Sequence, residues 1–184
     1  MVESIRETLV QYPSDKVTMR AFVAAPQTKG KRPAIIVIQE WWGLTDHIKD
    51  VAKRYAAEGY VAIAPDLYSR LGNALTTDPG EAGKLMNTLQ QEDGLKDLNA
   101  TVAYLRSVPE VDATRIGVTG FCMGGSYALM LPCVNKDIKA AVPFYGQVPN
   151  PDAPLQQLSA PVLYLYGEDD GWITKADVQR LAAG

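Results

Sequence analysis

The sequence predicts an α/β fold built on a largely parallel sheet. Three observations lead there. Short continuous apolar runs, such as residues 34–38 and 60–64, have the make-up of strands covered on both faces. They alternate with segments of helical periodicity, as in βαβ units. One strand-to-helix junction, Gly120-Phe121-Cys122-Met123-Gly124-Gly125, has the spacing of a nucleophile elbow with cysteine at its centre.

Taken in order, residues 5–10 and 17–24 alternate apolar and polar positions around a turn-like Tyr12-Pro13-Ser14-Asp15, which predicts an antiparallel hairpin. After a polar loop, Ala34-Ile35-Ile36-Val37-Ile38 is a buried strand ending in Gln39-Glu40-Trp41-Trp42-Gly43. Thr45 or Asp46 can cap a helix over 47–58, with Ile48, Val51, Ala52 and Tyr55 on one face and Gly59 as its stop. Residues 60–64 form the next strand, closed by Pro65-Asp66. A long connection over 67–81 follows, of the length that compact domains keep for functional loops. Helices are expected over 81–91 and 94–107, the second with Leu95, Leu98, Val102 and Leu105 aligned. The elbow strand covers 115–119 and its helix ends near Pro132. Residues 138–145 and 161–166 complete seven strands, and Thr174 can cap a final helix over 175–183.

The chain of 184 residues carries 47% hydrophobic and 21% charged residues and a net charge of −3, and has no internal repeat or linker. One domain over 1–184 is expected. The absence of a basic excess or charge run speaks against nucleic acid as a partner. No apolar run reaches the roughly 18 residues of a membrane span, and residues 1–11 lack the pattern of a signal peptide. A cytoplasmic location is therefore expected. Cys122 and Cys133 are separated by a mostly helical stretch, roughly 16 Å at 1.5 Å per residue, too far for a disulfide. No Cys/His spacing suits zinc, and neither a metal nor a cofactor is expected.

Strand ends in such a sheet converge on one edge, where sites form. Glu40, the 66–70 segment, Cys122, Tyr145 and Asp170 all lie just past predicted strands. Cys122 sits at a helix start, where free N–H groups and the helix dipole favour thiolate. In the nucleophile–acid–histidine order, the acid belongs in Gly167-Glu168-Asp169-Asp170, with Asp170 preferred and Asp169 the alternative.

These stretches, with Pro65-Asp66-Leu67-Tyr68-Ser69-Arg70 and Phe144-Tyr145-Gly146, make the sequence resemble the dienelactone hydrolase (carboxymethylenebutenolidase) family over nearly its whole length. The resemblance implies an α/β-hydrolase fold, with helices on both faces of the sheet, and hydrolysis of a small carboxylated enol-lactone. A broader carboxylesterase or thioesterase is the alternative. It implies Cys122 as nucleophile, Glu40 as the carboxylate that helps generate thiolate, and the backbone N–H groups of Trp41 and Met123 as the oxyanion hole. It further implies Arg70 as the partner of a substrate carboxylate, and Trp42, Tyr68 and Tyr145 as pocket walls. The family places a catalytic histidine after an eighth strand, beyond the acid loop. The sequence in hand has neither that strand nor that histidine, and its one histidine, His47, reads better as a polar residue at a helix start. A shortened, catalytically silent homologue is thus a further reading.

Overall fold

The computed structural model describes residues 4–151 and 153–183. What the sequence suggests about residues 1–3 and Gly184 lies outside the described residues. The central sheet has six strands in the order β1-β2-β4-β3-β5-β6. They are β1 (Ile5–Ser14), β2 (Val17–Pro26), β3 (Arg32–Ile38), β4 (Val61–Pro65), β5 (Val111–Phe121) and β6 (Ile138–Phe144). β1 and β2 form an antiparallel hairpin that joins β4 antiparallel, whereas β4, β3, β5 and β6 run parallel.

The helices are α1 (Asp46–Ala57), α2 (Pro79–Thr88), α3 (Gln91–Ser107), α4 (Met123–Val134) and α5 (Lys175–Ala183). β3 explains the two layers. Ala34, Ile36 and Ile38 enter a core shared with Leu98, Val102 and Leu105 of α3 and Ala128 and Leu131 of α4. Ile35 and Val37 enter a second core with Ile48, Val51 and Ala52 of α1. A period of two along the strand therefore feeds both faces. Caps fix the helix starts. Thr45 accepts from Ile48 N–H, and Asp78 accepts from Glu81 N–H at 2.8 Å. Thr174 and Asp177 cap α5 reciprocally, with Asp177 Oδ2 taking the Thr174 N–H and Asp177 N–H reaching Thr174 Oγ1. The Thr174 hydroxyl and the Arg180 guanidinium hold the Asp177 carboxyl down at about 2.

Four expectations need correction. The hairpin strands run to Ser14 and from Val17, so the turn shrinks to Asp15-Lys16, with Asp15 at φ 49°. The elbow strand begins at Val111 rather than 115. Pro132 lies within the last turn of α4, which runs on to Val134 and is capped by Asn135. The seventh strand is not continuous, because residues 161–166 join β6 only through the bridges Ala141–Val162 and Phe144–Leu165. Its hydrogen bonds are nevertheless those of a parallel neighbour, including Leu163 N–H to Ala141 O at 3.0 Å and Tyr145 N–H to Leu165 O at 2.7 Å. Leu163 is 61% exposed there. No helix among the described residues is long and apolar enough to cross a membrane.

Candidate active site

Register places the site. Ile38 of β3 pairs with Gly120 of β5, and Gly120 pairs with Pro143 of β6. Glu40, Cys122 and Tyr145 each lie two residues beyond that row, so three chemical groups leave the sheet side by side. Cys122 takes φ 56°, ψ −118°, a strained conformation between the strand and α4. Its N–H is held by Phe144 O at 3.1 Å. The glycines around it permit backbone to touch backbone. A Cβ on Gly124 would lie 2.4 Å from the Gln39 carbonyl oxygen, and one on Gly125 would lie 2.3 Å from Phe144 O. Glycine there lets α4 begin directly against the ends of β3 and β6.

Electrostatics at the sulfur offset the helix-start effect. Burial raises the Cys122 thiol, and the carboxylates of Glu40 and Asp170 push it further. The Met123 N–H hydrogen bond lowers it but does not prevail. The net shift is upward despite its seat at a helix start. Glu40 is held by the Tyr145 hydroxyl, which donates to Oε1 at 3.1 Å. Tyr145 itself is at φ 40°, and burial followed by the Glu40 charge raises its phenol.

Asp170 follows the 161–166 segment. Its Oδ1 accepts the N–H groups of Trp172 at 2.7 Å and Ile173 at 3.2 Å, which fixes the loop tip, and its charge reaches Cys122. Asp169 is exposed. Trp41 and Trp42 meet edge to face with centroids 5.0 Å apart. Tyr68 is fully buried, so it is no open pocket wall. Its hydroxyl donates to Trp41 O at 2.8 Å and lies 3.7 Å from Met123 Sδ, so it braces both residues whose N–H groups were singled out from the sequence.

Arg70 departs most from expectation. Its Nε and Nη2 donate to Asp97 Oδ2 and Oδ1 at 2.8 and 2.9 Å, a two-pronged ion pair with a carboxylate of 0% side-chain exposure. Ser14 Oγ donates to the same Asp97 Oδ1 at 2.6 Å. The Nε/Nη2 edge of the guanidinium is thus taken by the protein itself. Asp97 was missed, although a signal existed: Gly94, Asp97 and Thr101 lie on the buried stripe of α3, where a polar residue needs a partner. His47 is exposed on the first turn of α1. No cluster of His, Cys, Asp and Glu able to hold a metal ion occurs among the described residues.

Sequence reading also missed a cavity of ≈ 220 Å³ beside α4, lined in part by Met86, Met123, Tyr127, Met130 and Trp172. Its residues come from α2, the start of α3, α4, the loop after β6 and the acid loop, which lie far apart in the chain.

The model of the dienelactone hydrolase family matches residues 19–184. The chain belongs to the dienelactone hydrolase family. A Methylorubrum extorquens protein named "Putative carboxymethylenebutenolidase" is 35% identical over an alignment of 183 positions that covers 94% of this chain but 63% of that relative's length. A Synechocystis protein of the same name is 34% identical, covering 98% of this chain and 79% of the relative. Among solved structures, a Klebsiella pneumoniae dienelactone hydrolase homologue superposes with a TM-score of 0.88 at 34% identity, over 98% of this chain and 80% of the other. The α/β-hydrolase architecture expected from the dienelactone hydrolase resemblance is the one observed.

Proposed function

We propose that this chain cleaves a small ester or lactone through Cys122. The observation that carries the reading is the strained Cys122 at the start of α4, in register with Glu40 and Tyr145 and within reach of the Asp170 charge. When substrate enters, the thiol proton passes to the Glu40 carboxylate and the sulfur attacks the carbonyl carbon. The oxyanion is received by the N–H groups of Met123 and Trp41, one directly after the nucleophile and one in the loop after β3. The carbon–oxygen bond to the leaving group then breaks, the leaving oxygen takes up a proton, and a thioester remains on Cys122. Water hydrolyses that thioester to release the acid and restore the thiol. Asp170 is the acid suited to orient an imidazole.

The family resemblance, which suggests a carboxylated lactone, assigns its carboxylate to Arg70, and one edge of Arg70 is engaged by Asp97. The substrate is therefore proposed as a small ester or lactone without a required carboxylate. No metal or cofactor enters this chemistry. A competing reading, binding without turnover, is favoured by the placement of His47 on exposed helix surface rather than beside Cys122.

The test is a burst assay with p-nitrophenyl acetate, followed by intact mass and peptide mapping. An acetyl adduct on Cys122 is expected, lost in Cys122→Ala and retained in Cys133→Ala. Labelling confined to Cys133, or an unchanged burst in Cys122→Ala, refutes the nucleophile. A burst with no later steady release supports the competing reading of this chain as lacking turnover.

A further inference from the structure

The cavity beside α4 is anchored at both ends of the site. Met123, in its wall, directly follows Cys122, and Trp172 is held through its N–H by Asp170 Oδ1 at 2.7 Å. At ≈ 220 Å³ it has room for a short chain, and it shares Gln91, Ser126, Met130 and Gln147 with a neighbouring recess of ≈ 630 Å³. Three thioethers and two aromatic rings give it a soft apolar wall that adapts to a flexible chain. Its polar side chains, Asn87, Gln91, Ser126 and Gln147, are all neutral, and no Lys, Arg or His is among its lining residues.

The charges nearby point the same way. Glu40 and Asp170 already oppose negative charge at Cys122. Arg70, a cation on the connection after β4, spends its two-pronged face on Asp97. An anionic chain end entering the cavity would lose water without gaining a cationic partner among its lining residues.

On the reading of Cys122 as nucleophile, we infer that this cavity is the acyl subsite and accepts a short, uncharged aliphatic acyl group. The acyl chain is the part of the substrate that stays on the sulfur after the leaving group departs. A recess walled by the residue next to Cys122 suits the part that stays, whereas the leaving group needs a route to solvent. The three thioethers favour a flexible chain over a rigid aromatic acid.

The 184-residue chain is acylated with p-nitrophenyl hexanoate and with mono-p-nitrophenyl adipate, which differ at the chain end as methyl against carboxylate. Each burst rate is divided by that ester's rate with 2-mercaptoethanol, which removes intrinsic reactivity. The hexanoate is expected to be favoured by at least about tenfold. Gln147→Arg, at an exposed wall position, is expected to shift this preference toward the adipate by about tenfold. Met130→Trp, which fills the cavity, is expected to lower the hexanoate-to-acetate ratio by a similar factor. Equal normalised rates for the two long esters overturn the subsite while the Cys122 adduct still upholds the nucleophile. Unaltered ratios in a folded Gln147→Arg protein also overturn the subsite. A burst that survives Cys122→Ala overturns the nucleophile and the subsite together.

Discussion

Arg70→Ala separates the role the sequence suggests from the one the fold gives it. In the structure two charge-assisted hydrogen bonds, at 2.8 and 2.9 Å, join its guanidinium to Asp97. Such bonds contribute about 1.5–3 kcal/mol each, roughly 3–6 kcal/mol for the pair. Removing one partner of a buried ion pair costs about 3–5 kcal/mol by a separate line of measurement, so the two figures agree. Asp97 would keep only the neutral Ser14 hydroxyl. The loss would spread, because Asp97 also lies on the path that ties the hairpin to α3: its carbonyl accepts from Thr101 Oγ1, and that hydroxyl meets Tyr12 at 2.7 Å. In a protein of this size the loss corresponds to a fall in Tm on the order of 10 °C.

The assay is urea and thermal unfolding of four proteins: wild type, Arg70→Ala, Arg70→Met and the double variant Arg70→Met with Asp97→Asn. The double variant should recover much of the stability, since no uncompensated charge stays buried and Ser14 keeps an acceptor. An Arg70→Ala protein as stable as wild type, yet selectively slower with carboxylated esters, would refute the structural assignment and return Arg70 to the substrate.

Two further outcomes test the site. Glu40→Gln should move the pH profile of Cys122 alkylation by iodoacetamide to lower pH. In the wild type, reactivity rises as pH climbs through a thiol value held above the ordinary 9.0, and removing one of the two opposing carboxylates lowers that value. A profile that stays in place, or moves up, excludes Glu40 from the field at the sulfur. Gly124→Ala should cost about 3 kcal/mol or more in urea unfolding and abolish the p-nitrophenyl acetate burst, because its Cβ would meet the carbonyl oxygens of Gln39 and Ile38 at 2.4 and 2.5 Å. A midpoint equal to wild type would mean that α4 does not sit against the end of β3.

The parts of the fold that can be read from sequence are those set by local pattern. The apolar runs of β3 and β4 and the periodic face of α1 needed no distant partner to be recognised. The hairpin turn was misjudged because Tyr12, Pro13 and Ser14 carry turn chemistry, yet tertiary contacts keep them in β1. Tyr12 stacks on Tyr104 with centroids 4.8 Å apart, and Ser14 donates to Asp97. The 161–166 segment erred in the other direction. Its alternation reads as a strand, but among the described residues it has one neighbour, β6, and it pairs with that neighbour through isolated bridges.

The site divides along the same line. Cys122, Met123 and the glycines are legible because five consecutive residues dictate the elbow. Glu40 and Tyr145 become neighbours through the register of three parallel strands, which strand order alone does not supply. Arg70 shows the limit of a local signal. An arginine just past a strand end carries the same signal whether it faces a ligand or a buried carboxylate. What decides between them is Asp97, 27 positions later, on a stripe of α3 that periodicity marks as core. A buried acid must find a cation or lose its charge, and Arg70 lies on the turn after β4 that α3 packs beside. The same rule bears on the cavity. With Arg70 paired to Asp97 and two carboxylates raising Cys122, the acyl-subsite proposal assigns selectivity to neutral, adaptable side chains rather than to a cationic anchor.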